Sequence, residues 1–329
     1  MPHTHVHNRP RRRSGFDGTQ DRRPPPTARS GVNCTTGIRR YTQEESTEIV
    51  GDSKKLMAQT FTEKLQASQE RRQSWLCVGL DPSPDQIPVG VDLATFGKEI
   101  IDATAEFACA FKPNLMFYLP YGAEGLDALQ ATIAHVPDDI PVILDAKFGD
   151  ISFTAGYYAR AAFEVLGADA VTVTPYVGMD AVTPLLEYEN KMVFVLVRST
   201  NTTGNDFQLW PSDKAPLFRF VTAQVNTLAR RHPDQLGIIV GATQPRDLSR
   251  IRSWAPTLPF LIPGLGVQQG DLATAVQHGT TRGGIGPLIG VARAIIYASR
   301  GPDFAEAAQR AAAAWVKQIQ EVRAQVLAS

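Results

Sequence analysis

The chain has 329 residues, with 33 Lys and Arg against 33 Asp and Glu, so its net formal charge is zero. That balance is uneven: residues 1–40 hold nine Arg and two Asp, which leaves a mildly acidic body and argues against nucleic-acid binding as the main task. No apolar run reaches the roughly 18 residues of a membrane span, and Cys34, Cys77 and Cys109 suggest neither a disulfide framework nor a zinc site.

Residues 1–56 are expected to form a disordered, basic and proline-rich extension. They include Pro24-Pro25-Pro26 and few apolar clusters, too little burial to offset the entropy of ordering. Other readings stay open. The Arg-rich, acid-poor composition suits an organelle transit peptide but lacks a clear amphipathic helix. The run Arg11-Arg12-Arg13 could touch nucleic acid or anionic lipid, and the alternating His3, His5 and His7 could hold a metal. The favoured reading is a mis-set start, with the chain proper opening at Met57 and one domain spanning 57–329. No signal peptide precedes the body, and Cys77 and Cys109 sit in apolar runs, so a reducing cytoplasm is expected.

From residue 57 onward, strand-length apolar runs alternate with helical stretches. The predicted strands are Trp75–Leu80, Phe107–Phe111, Val142–Asp145, Ala170–Val173, Met192–Val197, Gly237–Val240, Phe260–Ile262 and Leu288–Val291. Most are continuous, as expected of parallel strands buried on both faces. Helix-like segments include 95–106, 154–166 and the alanine-rich 303–325. Eight strands with alternating helices in about 270 residues predict a (β/α)8 TIM barrel. A doubly wound open sheet is the alternative, weakened because no G-x-G-x-x-G follows the first strand.

Polar residues recur at the strand ends, where barrels build their sites. Asp81 follows strand 1, Lys112 and Asn114 follow strand 2, and Asp145 and Lys147 end strand 3. Arg198, Ser199, Thr200 and Asn201 follow strand 5, Gly264, Gly266 and Gln268 follow strand 7, and Arg293 follows strand 8. The segment Asp145-Ala-Lys147-Phe-Gly-Asp150 is the most informative. Alternation along a strand puts Asp145 and Lys147 on one face, with Asp150 beyond it in a loop or at a helix start. By itself this could be a surface ion pair followed by a helix cap. Lys112, Asp145, Lys147 and Asp150 alternate in sign, which keeps buried groups ionised where burial alone would neutralise them. A lysine flanked by carboxylates suits proton donation better than Schiff-base chemistry, which needs the free amine. The glycines of Pro263-Gly264-Leu265-Gly266-Val267-Gln268, with Arg293 at a helix start, predict a phosphate site.

Taken in order, Leu80-Asp81-Pro82, Phe111-Lys112-Pro113-Asn114, Asp145-x-Lys147-x-x-Asp150-Ile151, Pro263-Gly264-x-Gly266-x-Gln268 and Arg293-x-Ile295-Ile296-Tyr297 resemble the orotidine 5′-phosphate decarboxylases, most closely their longer bacterial branch (type 2). The resemblance covers about residue 57 to the C-terminus. It implies a cofactor-independent, metal-free decarboxylation of orotidine 5′-phosphate to uridine 5′-phosphate (UMP). Lys147 would protonate C6, Asp145 would lie against the substrate carboxylate, and Lys112 would hold the array and touch the ribose. Asp81 would bind a ribose hydroxyl, Thr200 the pyrimidine edge, and Gln268 and Arg293 the phosphate. Asp150 and Thr154 would reach into the neighbouring subunit's site, implying a homodimer with shared sites. Phe148, Ser152-Phe153, Thr174, Thr200 and Thr202-Thr203 depart from that family's usual residues, and the departures bear on the pyrimidine and loop contacts.

Two rivals remain. A magnesium-dependent sugar-phosphate decarboxylase or aldolase of the same barrel superfamily shares D-x-K-x-x-D but needs an acid after strand 2, where this chain has Lys112. A catalytically inactive nucleotide-binding homologue is opposed by the intact set Lys112, Asp145, Lys147 and Asp150.

Overall fold

The computed structural model describes residues 59–328, with side chains through residue 326. The extension expected over 1–56, with Cys34 and the three alternating histidines, lies outside the described residues.

The first described element is one that sequence periodicity did not reveal. Helix α1 (Phe61–Arg72) opens on a capping box. The Glu63 N–H donates to the Thr60 hydroxyl at 3.2 Å, and the Thr60 N–H donates to the Glu63 carboxylate at 2.8 Å. The helix buries Phe61 and Leu65 in a cluster with Cys77, Ala110, Ile143, Ala170, Met192 and Leu288. Those six stand at or near the starts of their strands, so α1 plugs the N-terminal mouth of the barrel.

The strands are β1 (Leu76–Leu80), β2 (Ala110–Pro113), β3 (Ile143–Phe148), β4 (Ala170–Val173), β5 (Met192–Arg198), β6 (Leu236–Val240), β7 (Phe260–Pro263) and β8 (Leu288–Val291). All ladders are parallel, in the order β2-β1-β8-β7-β6-β5-β4-β3. The isolated bridges Phe111↔Val142 and Asn114↔Asp145 join β2 to β3 and complete the circuit. The expected (β/α)8 barrel is therefore present. Around it run α2 (Leu93–Thr104), α3 (Gly122–His135), α4 (Ser152–Arg160), α5 (Asn205–Gln208), α6 (Leu217–Ala229), α7 (Pro245–Trp254), α8 (Leu272–Gly279), α9 (Arg293–Ile296) and α10 (Phe304–Ala328). The main core lies between strands and helices, as the continuous apolar runs require. The β4–β5 connection carries only 3-10 turns, at Pro175–Val177, Met179–Ala181 and Thr183–Glu187. Among the described residues no helix is long and apolar enough to cross a membrane.

Two sequence expectations are corrected. The second strand is not Phe107–Phe111. The N–H groups of Phe107 and Ala108 both bond to the Thr104 carbonyl and finish the turn after α2, so the strand starts at Ala110. The apolar run spans turn and strand alike, and hydrophobicity cannot divide them. As a result Lys112 lies within β2 rather than after it. The third strand likewise runs past Asp145 to Phe148. Its register slips: Leu144 pairs with Val171, but Phe148 pairs with Val173. Two more residues are thus accommodated on β3 than on β4, and Lys147 adopts a left-handed φ of 50°. Simple alternation therefore does not relate Asp145 to Lys147; a bulge does.

Candidate active site

The C-terminal mouth gathers the charged residues around Asp145. The Lys112 ammonium, from β2, donates to Asp145 Oδ2 at 3.0 Å, and the Lys147 ammonium donates to Oδ1 at 2.5 Å. Lys112 and Asp145 are buried, whereas the Lys147 side chain is 45% exposed. Burial pushes the Asp145 carboxyl upward, but the charges and hydrogen bonds of Lys112 and Lys147 outweigh it and hold the group well below the usual carboxylate range. Burial likewise works against the Lys112 ammonium, and the negative charges of Asp145 and Asp81 overcome it, raising that group above an ordinary lysine. Each cation has the shared carboxylate as partner, and removing Asp145 would leave the buried Lys112 ammonium without its hydrogen-bond partner.

Asp81 follows β1 directly. Burial raises its carboxyl above the usual range, against the attraction of Lys112. Its Oδ1 is sealed from solvent and has no hydrogen-bond partner. A buried acceptor without a partner calls for a reason, and one is a site that a bound ligand reorganises. The loop that carries it is held from β8's side of the barrel. The Tyr297 hydroxyl donates to the Asp81 carbonyl at 2.6 Å and accepts from the Ser83 N–H at 2.7 Å.

One pocket is lined by Asp81, Lys112 and Asp145 together with Gly264, Gly266, Gln268 and Arg293. Gly264 has φ 99°, and a Cβ there would stand 2.8 Å from Thr200 Cγ2, so only glycine suits the position. Gln268 Nε2 donates to the Thr200 hydroxyl at 3.2 Å, which ties the β5 end to the glycine loop. Arg293 is exposed and heads α9, a helix of four residues. Its guanidinium rather than a helix terminus is what it brings to an anion. Among the described residues no group of three or more His, Cys, Asp or Glu is placed to hold a metal ion.

Seven predicted site residues are thereby connected: Asp81, Lys112, Asp145, Gln268 and Arg293 line the pocket, Lys147 bonds to Asp145, and Thr200 bonds to Gln268. Asp150 and Thr154 are not among them. Asp150 accepts from the Ile151 N–H at 2.7 Å and from the Tyr158 hydroxyl at 3.4 Å, and Thr154 lies half-buried in the first turn of α4. Phe148, one of the residues that departs from the family pattern, stacks on Tyr158 with ring centroids 4.3 Å apart.

Sequence reasoning missed one supporting group, Thr172, and listed another, Arg198, only as a polar residue after strand 5. Thr172, on β4, donates its hydroxyl to Asp145 Oδ1 at 2.9 Å. Arg198 is a hub: it donates to Asp247 at 2.8 Å, Gln208 at 2.8 Å, Asn205 at 2.6 Å and Gln244 at 2.9 Å. It is 1% exposed, and it anchors the segment that carries Thr200. An arginine ending an apolar strand was a visible signal; its partners, distant in sequence, were not.

Known proteins resemble the chain across this same region. Residues 74–311 match the model of the orotidine 5′-phosphate decarboxylase / HUMPS family. The orotidine 5′-phosphate decarboxylase of Thermomicrobium roseum is 43% identical over 274 residues, covering 81% of this chain and 97% of that one. That of Cupriavidus necator is 45% identical over 261 residues, 77% of this chain and 95% of its own. The structure of Leishmania donovani OMP decarboxylase superposes with a TM-score of 0.69 at 37% identity, covering 80% of this chain and 98% of that one.

Proposed function

The chain belongs to the orotidine 5′-phosphate decarboxylase family, and from that premise we propose how its own residues carry the reaction. The enzyme converts orotidine 5′-phosphate to UMP and carbon dioxide in pyrimidine biosynthesis.

Lys147 is the proton donor. When the bond from C6 to the carboxyl carbon breaks, its electron pair stays on C6, and the Lys147 ammonium delivers a proton there. The amine left behind recovers a proton from water, which its half-exposed side chain allows. A fixed cation beside C6 stabilises charge that appears only as the bond breaks, so it favours the transition state over the bound substrate. Asp145 lies against the departing carboxylate and keeps both lysines in place. The observation that carries this reading is the pair of ammonium groups sharing one buried carboxylate.

Asp81, which lines the pocket, binds a ribose hydroxyl. Gln268 and Arg293 hold the phosphate, and Thr200 meets the pyrimidine edge. Phosphate binding far from C6 can supply energy for ordering the site. Asp150 and Thr154 serve the neighbouring subunit of a homodimer. Two things support this: neither lines the pocket of its own chain, and Ile151, Phe153 and Tyr157 around them are 65%, 74% and 57% exposed. Tyr176 and Phe207 are exposed as well, with their rings 6.4 Å apart, and exposed apolar groups of this kind suit a subunit interface. A reducing cytoplasm completes the proposal, supported by Cys77 and Cys109 as free, buried thiols.

The test is carbon dioxide release from orotidine 5′-phosphate with a chelator present, for the wild type and Lys147→Ala. The wild type should keep its rate, and the variant should lose at least a factor of about 100, the usual scale of a lost general acid. Full activity in the variant would remove Lys147 from the chemistry. Loss of wild-type activity, rescued by magnesium, would favour the metal-dependent rival.

A further inference from the structure

The β3 bulge has no backbone partner for part of its length. Between the pairs Leu144↔Val171 and Phe148↔Val173, three β3 residues face one β4 residue, Thr172. A parallel ladder of matched length would satisfy alternate β3 N–H groups with β4 carbonyls. Here the Thr172 hydroxyl takes over that task. It accepts from the Ala146 N–H at 3.0 Å and the Lys147 N–H at 2.9 Å, and it donates to Asp145 Oδ1 at 2.9 Å. A hydroxyl has one donor and two acceptor positions, and all three are used on consecutive residues of β3. Thr172 is fully buried, so water does not compete.

We propose that Thr172 is the positioning residue of the charge array: through its three hydrogen bonds it fixes the β3 bulge, and with it the relative placement of Asp145 and Lys147. It touches no substrate. Its effect is exerted on where the Lys147 ammonium sits when C6 needs a proton. Lys147 holds its left-handed conformation although it is not glycine, and such conformations persist only where the surroundings determine them. The Thr172 hydroxyl on the Lys147 N–H is one such determinant. This inference rests on the proposed role of Lys147.

Thr172→Val and Thr172→Ser separate the hydroxyl from the side-chain volume. Valine nearly matches threonine in shape but offers no donor or acceptor. Serine keeps the hydroxyl and loses only a methyl. For Thr172→Val we expect kcat to fall about 30-fold, or ~2 kcal/mol at 1.36 kcal/mol per tenfold, while the KM for orotidine 5′-phosphate and the Kd for UMP stay within about twofold. Thr172→Ser should recover kcat to within about threefold of wild type. A purely structural defect would instead lower the active fraction and leave kcat per UMP-binding site unchanged, so rates are normalised to UMP-binding sites. The inference is overturned if Thr172→Val retains wild-type kcat, if kcat falls only as far as the active fraction, or if serine is as slow as valine. If the valine variant does not fold, Thr172→Ser carries the test alone: kcat within about threefold supports the assignment, and a larger fall overturns it. Lys147→Ala is assayed alongside. If that variant stays active, the reading of the reaction has failed; if it is inactive while Thr172→Val is unimpaired, only the inference about Thr172 has failed.

Discussion

Asp81→Asn should stabilise the unliganded enzyme while weakening catalysis. Asp81 is half-buried at the end of β1, its sealed Oδ1 has no hydrogen-bond partner, and burial raises its proton affinity despite the pull of Lys112. A buried acceptor left unpaired costs about 1–3 kcal/mol, more when charged. The Lys112 attraction offsets part of this, so removing the charge should yield a net gain of about 1 kcal/mol. In a domain of this size that is roughly 2–4 °C in Tm. The sign follows from linkage. The folded-state value lies above the unfolded aspartate value of about 3.9, so the folded protein binds the proton more tightly. The cost is absent below about pH 4, grows as pH rises through the folded-state value, and is complete above it. Calorimetry without ligand should therefore show the Asn variant ahead at pH 7, with the advantage shrinking as pH falls toward 4. With saturating UMP the order should reverse, because the ribose satisfies the carboxylate, and kcat/KM should drop by about 10- to 100-fold, the loss of a hydrogen bond to a charged group. An unliganded Asp81→Asn protein less stable than wild type at pH 7 would refute the reasoning: the Lys112 attraction would then exceed the burial cost.

Arg293→Ala should weaken UMP binding by about 1.5–3 kcal/mol, roughly 10- to 150-fold in Kd by titration calorimetry; unchanged affinity would place the phosphate elsewhere. If the proposed site is shared between subunits, Lys147→Ala and Asp150→Ala homodimers should each be nearly inactive. Mixing them with verified subunit exchange should restore about a quarter of wild-type activity, since about half the dimers are mixed and each has one intact site; no recovery would mean that Asp150 acts within its own chain. A protein starting at Met57 should fold and turn over like the full chain, because the first described helix is capped locally by Thr60 and Glu63. Loss of solubility or activity on that truncation would show that residues 1–56 matter.

The barrel was legible in the sequence because parallel strands buried on both faces leave continuous apolar runs, and eight of them alternate with helices. The same rule found the strand-end residues Asp81, Lys112, Asp145, Lys147, Gln268 and Arg293, since charges and glycine loops after such runs have few structural uses. It misplaced β2, where turn and strand are equally apolar, and it missed α1, although Thr60-x-x-Glu63 was a capping signal. Tertiary structure decided the rest. Alternation put Asp145 and Lys147 on one face, but they meet across a bulge that depends on a threonine 27 residues from Asp145. Arg198 is anchored by Asp247, 49 residues away. Local sequence carries periodicity and caps, which depend on near neighbours. The hydrogen bonds that fix a bulge or anchor a loop come from whichever strand closure brings alongside, and no local pattern encodes that partner.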